Sequence, residues 1–142
     1  MPDHATHQHA IYVVYPLKAT PDRVWQVLTE PELLEQWLFP NDITPETGRR
    51  FTFQTKPAPG FDGTITCEVL AVSPPEYLVY TWRTGLLDTV VNFTLDSPTP
   101  DATRLTVLHT GFGTEDAEIR ELLAGGWRER SAGLLRKLLT TL

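Results

Sequence analysis

From Thr114 to Leu142 the sequence keeps one helical apolar stripe: Ile119, Leu122, Leu123, Trp127, Leu134, Leu135 and Leu138. Thr114-Glu115-Asp116 opens it with a capping residue and two acids, which suit the positive end of a helix. A helix of that length is near the upper limit for globular proteins, and its stripe needs one continuous apolar surface to lie on. The preceding segment offers that surface, because from residue 49 to 111 the apolar period changes to two. Phe51 and Phe53 alternate with Thr52 and Gln54. Leu78, Tyr80 and Trp82 alternate with Val79, Thr81 and Arg83. Val91, Phe93 and Leu95 share one face, as do Leu105, Val107 and His109. Residues 63–72 read as a long strand between Pro57-Ala58-Pro59-Gly60 and Ser73-Pro74-Pro75-Glu76, and residues 96–101 read as a further turn. Consecutive strands joined by short turns form an antiparallel meander.

A strand also opens the chain, where Ile11, Val13, Tyr15 and Leu17 alternate with Tyr12, Val14, Pro16 and Lys18. Pro16 cannot donate to a ladder, so it belongs near a strand end or on an edge. Thr20-Pro21-Asp22 starts a short helix carrying Val24, Trp25 and Leu28. Pro31 opens a second, with Leu33, Leu34, Trp37 and Leu38, which stops by Pro40. The expected class is α+β: a curved antiparallel sheet of about six or seven strands around a long C-terminal helix, with two short helices after strand 1. Residues 1–8 read as a disordered tail and 9–142 as a single domain.

Bulk properties narrow the function. With 142 residues, 41% hydrophobic and 21% charged, the chain is large enough for a real core. A formal net charge of −6 disfavours phosphate backbones, so no nucleic-acid partner is expected. No apolar run nears the ~20 residues a bilayer requires, so no membrane span is expected. The first residues lack a basic start followed by an apolar core, so no secretory signal is read and a cytoplasmic location is expected. The single cysteine, Cys67, excludes an intramolecular disulfide and reads as a small buried hydrophobe. His4, His7 and His9 do not form an expected metal site. No phosphate loop, His-Glu-x-x-His, Gly-x-Ser-x-Gly or paired-carboxylate motif is present. No catalytic residue, metal or cofactor is therefore assigned.

Several strings occur in a telling order: Ala19-Thr20-Pro21 before Val24-Trp25; Trp37 and Pro40; Gly63; Pro74-Pro75; Leu78-Val79-Tyr80-Thr81-Trp82; His109-Thr110-Gly111; Gly126-Trp127. With the element order, this set resembles the START-related helix-grip (SRPBCC) superfamily. Within it, the chain is similar to the branch named after the C-terminal domain of the heat-shock-protein-90 ATPase activator. The resemblance implies a START-like domain whose sheet grips the long helix, with a cavity between them. Relatives use that cavity for sterols, lipids, polyketides or plant hormones, and a few act as cyclases or aromatases. The eukaryotic co-chaperone carries a separate N-terminal domain for which this sequence has no room, so its activity is not expected here. Ser131 stands where relatives often have a larger apolar residue, which would enlarge or polarise the cavity.

The leading expectation is binding of a small, largely apolar molecule or lipid, lined by Trp37, Phe53, Trp82, Phe93, Val107, His109, Leu123, Gly126 and Trp127. Each aromatic has a plain core reading beside this one. Gly125-Gly126 inside a helix is costly, and either leaves space for a ligand or permits close packing on the sheet. His109 is either an acid–base group facing a cavity or a satisfied histidine near a strand end. Glu68 shares parity with Leu70 and Val72, while Ile65, Cys67, Val69 and Ala71 form the other face, so the inner face of that strand stays open. Tyr80 and Arg83 could supply polar tips at a cavity end, with surface exposure the simpler reading for Arg83. Two further functions stand as alternatives. A polyketide cyclase or aromatase would need His109, Glu68 or a tyrosine to converge. A protein-interaction or stress-response module, or a homodimer, would show a filled core and an exposed apolar patch.

Overall fold

A computed structural model describes residues 9–142; the tail read at residues 1–8, with His4 and His7, lies outside the described residues. Strand β1 (Ile11–Leu17) is followed by helices α1 (Pro21–Thr29) and α2 (Pro31–Glu35). Strands β2 (Arg50–Gln54), β3 (Thr64–Ser73), β4 (Tyr77–Arg83), β5 (Asp88–Thr99) and β6 (Ala102–Thr110) come next. The six strands form one antiparallel sheet in the order β1-β6-β5-β4-β3-β2. The first strand thus closes beside the last, with Val13 opposite Val107. Pro16 lies in β1, an edge strand, where a missing N–H costs no ladder bond on the open side.

The helix starts are local. The Thr20 hydroxyl accepts the Arg23 N–H at 3.3 Å, and Pro21 takes the first helical position. Val24, Val27 and Leu28 are the buried residues of α1, while Trp25 is only half-buried, so Val27 replaces it in the stripe read above. Trp37 ties the two short helices together through an indole N–H donated to the Val27 carbonyl at 2.8 Å.

Strand β3 resolves its open parity by a register shift between Val69 and Ala71. Ile65, Cys67 and Val69 face the core before the shift, and Val72 packs against it afterwards. Glu68 points outward, within 3.6 Å of Arg50, and Leu70 is exposed. An extra residue in a strand reverses its alternation, which is why both parities looked apolar. Strand β5 also runs on to Thr99, with an irregularity after Asp96, so the turn read at 96–101 narrows to Pro100-Asp101.

The C-terminal helix covers the concave face but is not one regular α-helix. A 3₁₀ turn (Thr114–Asp116) leads into α3 (Ala117–Gly125), then a π-helical segment (Gly126–Ser131), then α4 (Ala132–Thr141). The wider turns of the π segment shift the side-chain phase between the two arms. Leu122, expected in the buried stripe, is 71% exposed, because at about 100° per residue it stands roughly 140° round the helix from Trp127, whereas Ala124, Trp127, Ser131, Ala132, Leu135 and Leu138 are buried. Among the described residues no helix is long and apolar enough to cross a membrane.

Candidate functional site

Alternation on β2, β4, β5 and β6 delivers aromatic rings to one layer beneath the helix. Trp82 lies 5.4 Å from Phe53, 5.2 Å from His109 and 5.8 Å from Trp127 between ring centres. Tyr80 lies 4.9 Å from Phe51 and 5.6 Å from Phe93, and Phe93 meets Trp127 at 6.0 Å. These distances are those of tilted and edge-on aromatic packing. The structure therefore brings Phe53, Trp82, Phe93, His109 and Trp127 together. Val107 is buried between Val13 and Phe93 in the sheet. Trp37 is buried too, but its polar atom is spent on α1. Leu123 and Gly126 are half-buried.

His109 is fully buried and both ring nitrogens are bonded. The Trp127 indole N–H donates to Nδ1 at 3.2 Å, so Nδ1 carries no proton. The Thr89 hydroxyl donates to the Trp82 carbonyl at 2.7 Å, so its oxygen accepts from Nε2–H at 2.8 Å. This chain of bonds selects one neutral tautomer, and burial pulls the imidazole pKa down to about 3. The satisfied-histidine reading holds: His109 has neither a free lone pair nor a proton to give. Glu68, on the outer face, does not meet it.

Tyr80 is different. Its hydroxyl is buried with no hydrogen-bond partner among the described residues, and burial raises its pKa, so it stays a phenol. An unpaired buried hydroxyl costs about 1–3 kcal/mol. Burial also raises the Cys67 thiol pKa, keeping Cys67 an uncharged wall residue. Side chains added at Gly125 or Gly126 would meet nothing within 4 Å, so close packing on the sheet does not account for the pair.

The outward side of β2, β3 and β4 holds an open cleft of about 480 Å³, bordered by polar residues such as Asp42, Arg50, Glu68, Thr81 and Arg83 and also by Phe51 and Cys67. Its floor is Thr81, buried on the outward face, whose hydroxyl accepts the Glu68 N–H at 2.8 Å. Arg83 is exposed, as its simpler reading had it, and binds Asp88 at 2.8 Å. Arg50 and Glu68 make a looser pair at 3.6 Å, so one of the cleft's arginines is answered by a carboxylate of the cleft and the other by Asp88 outside it. Alternation places Thr52, Thr66 and Thr81 outward, but nothing local in the sequence marks the opening between β3 and β4. Among the described residues no group of three or more histidine, cysteine or acidic side chains could hold a metal ion.

Residues 18–140 match the family described as Activator of Hsp90 ATPase homolog 1-like protein. The chain belongs to this family. It is thereby a member of the SRPBCC helix-grip superfamily. Among solved structures, it is similar to protein MLL2253 from Mesorhizobium loti at 33% identity and a TM-score of 0.85, covering 93% of this chain and 97% of that one. It is also similar to DynU16, of the dynemicin biosynthetic locus, at 26% identity and a TM-score of 0.77, over 94% of this chain. The match spans only 48% of DynU16's length. PFC0360w, an HSP90 activator from Plasmodium falciparum, is 15% identical, with a TM-score of 0.77 over 92% of this chain and 96% of that one, which shows a shared fold alone. No curated protein matches the sequence. The Activator of Hsp90 ATPase homolog 1-like domain seen here is thus a gripped helix over a buried aromatic layer.

Proposed function

We propose that this domain binds a small, neutral, largely apolar molecule between its sheet and its C-terminal helix. The observation that carries the reading is the Tyr80 hydroxyl, unpartnered amid the rings of Phe51, Phe53 and Phe93. Buried polar groups in native proteins are almost always satisfied, so a hydroxyl left without a partner calls for one from outside the chain. The wall chemistry supports the ligand class. His109 is neutral, Tyr80 is a phenol and Cys67 a thiol, so the layer has no charge to answer a charged ligand. One hydrogen-bond acceptor on an otherwise apolar body suits the site. The residues expected to touch it are Phe53, Trp82, Phe93, Trp127 and Leu123, with Gly126 leaving room beside the helix. The rings are in mutual contact, so entry requires them to part. A lone, buried thiol suits a reducing, cytoplasmic setting.

Native mass spectrometry of freshly purified protein, compared with its denatured mass, tests this reading. A non-covalent adduct that is lost on denaturation and weakened in Tyr80→Phe is the expected result. A clean monomer mass, with no thermal shift from neutral apolar probes, sinks it.

A second reading, a protein-interaction module or homodimer, is favoured by Leu86 and Leu122, which are 77% and 71% exposed. A native dimer mass that Leu122→Ser returns to monomer would support it.

A further inference from the structure

We propose that the C-terminal helix is a hinged strap: α3 swings away from the sheet about Gly125-Gly126 while the π segment and α4 stay seated. Where this motion admits a ligand it rests on the binding reading above, but the hinge itself stands on four independent observations.

The first is the difference in seating between the two arms. In α4, Ala132, Leu135 and Leu138 are buried, with Leu134 and Leu139 packed against the core. In α3 only Ala124 is buried; Ile119 and Leu123 are half-buried and Leu122 stands in solvent. The second is the set of pins, which fall on the π segment. The Tyr15 hydroxyl donates to the Trp127 carbonyl, the Trp127 indole donates to His109, and Arg130 lies over the Phe39 ring while reaching the Leu38 carbonyl at 3.4 Å. By contrast, among the described residues α3 has one long-range side-chain bond, Arg120 to His9 at 3.4 Å, and the Arg120 Nε is buried with no partner among them.

The third observation is the backbone at the joint. Two adjacent glycines carry the least conformational restraint of any pair, and they sit where regular α-helix gives way to π-helix. Neither is there for want of space, since a Cβ at either position meets nothing. Their permissive backbone is what remains to explain them. The fourth is where the arm attaches. Phe112, in the short link between β6 and the arm, is buried against His109 with ring centres 4.8 Å apart, so a swing that draws this link outward exposes the end of the aromatic layer.

Hydrogen exchange of backbone amides, read by mass spectrometry on the full chain, tests the hinge without any ligand. In the wild type, residues 117–125 are expected to exchange well before residues 132–141. Gly125→Ala/Gly126→Ala should slow α3 by more than roughly tenfold, since each alanine shifts a helix-interior equilibrium roughly fivefold, and leave α4 unchanged. Equal exchange of the two arms in the wild type, or equal slowing of both in the variant, overturns the proposal. Uptake of the neutral dye Nile red separates the two readings. Fast α3 exchange with no dye bound keeps the hinge and removes the binding function. Dye bound to a protein whose arms exchange together keeps the binding function and removes the hinge.

Discussion

Strands β2, β3 and β4 present two faces built from the same few residues, and the two faces solve opposite problems. Inward, Phe51, Phe53, Cys67, Tyr80 and Trp82 are buried, and they are held by ring contacts that need no charge. Outward, Arg50, Thr52, Thr66, Glu68 and Arg83 line an open cleft, which Phe51 and Cys67 also border, and its arginines pair with Glu68 and Asp88. The inner face draws its stability from removing large apolar area from water, which is worth kilocalories per residue. The outer face gains little from its pairs, because solvent screens them. The difference teaches that the stability of this domain and its visible charge constellation reside on opposite sides of one sheet.

The largest expected effect is on the inner side. Trp82→Ala removes the ring that touches Phe53, His109 and Trp127, and should cost about 3–5 kcal/mol in a urea titration. A loss below about 1 kcal/mol would mean that the layer is not packed as described.

Acid comes next. His109 has a folded pKa of about 3 against an ordinary 6.5, so between those values the unfolded chain binds more protons than the folded one. Stability is fully present above pH 6.5 and should fall by up to about 1.4 kcal/mol per pH unit below it, levelling off near pH 3. Urea midpoints at pH 7, 5 and 4 read this slope, and His109→Gln should flatten it. An unchanged slope in the variant would place the acid sensitivity elsewhere.

Trp127→Phe keeps most of the ring but leaves Nδ1 of His109 without its donor, at a cost of about 1–3 kcal/mol. Tyr80→Phe runs the other way. It deletes an unpaired hydroxyl, so the ligand-free protein should gain about 1–3 kcal/mol while affinity for a bound molecule falls. Smallest of all is the outer face: a double-mutant cycle on Arg50 and Glu68 should give a coupling under about 1 kcal/mol that salt erases. A coupling as large as the inner-face losses would break the contrast.

Much of the fold was legible because its signals are local. The Thr20-Pro21 start, the period-two runs and their turns each act within a few residues, and they yielded the order of elements and the aromatic layer. The same alternation brought Phe53, Trp82, Phe93, Val107 and His109 to one face. It failed on β3, where the shift after Val69 reversed the parity, and on Leu122, which stands roughly 140° round the helix from Trp127. It offered Tyr80 as a polar tip at a cavity end, but could not show that its hydroxyl finds no partner among the described residues.

By itself the sequence determined that strands alternate, where they turn, and that a long amphipathic helix must lie across them, because period and punctuation are properties of neighbouring residues. Only the tertiary structure decided which nitrogen of His109 carries the proton, where the gripping helix loosens, and which face of β3 is wet. Those outcomes depend on groups far apart in the chain, such as Tyr15 and the Trp127 carbonyl, 112 positions apart. Such bonds form only when the sheet and the helix meet, and no local pattern encodes them.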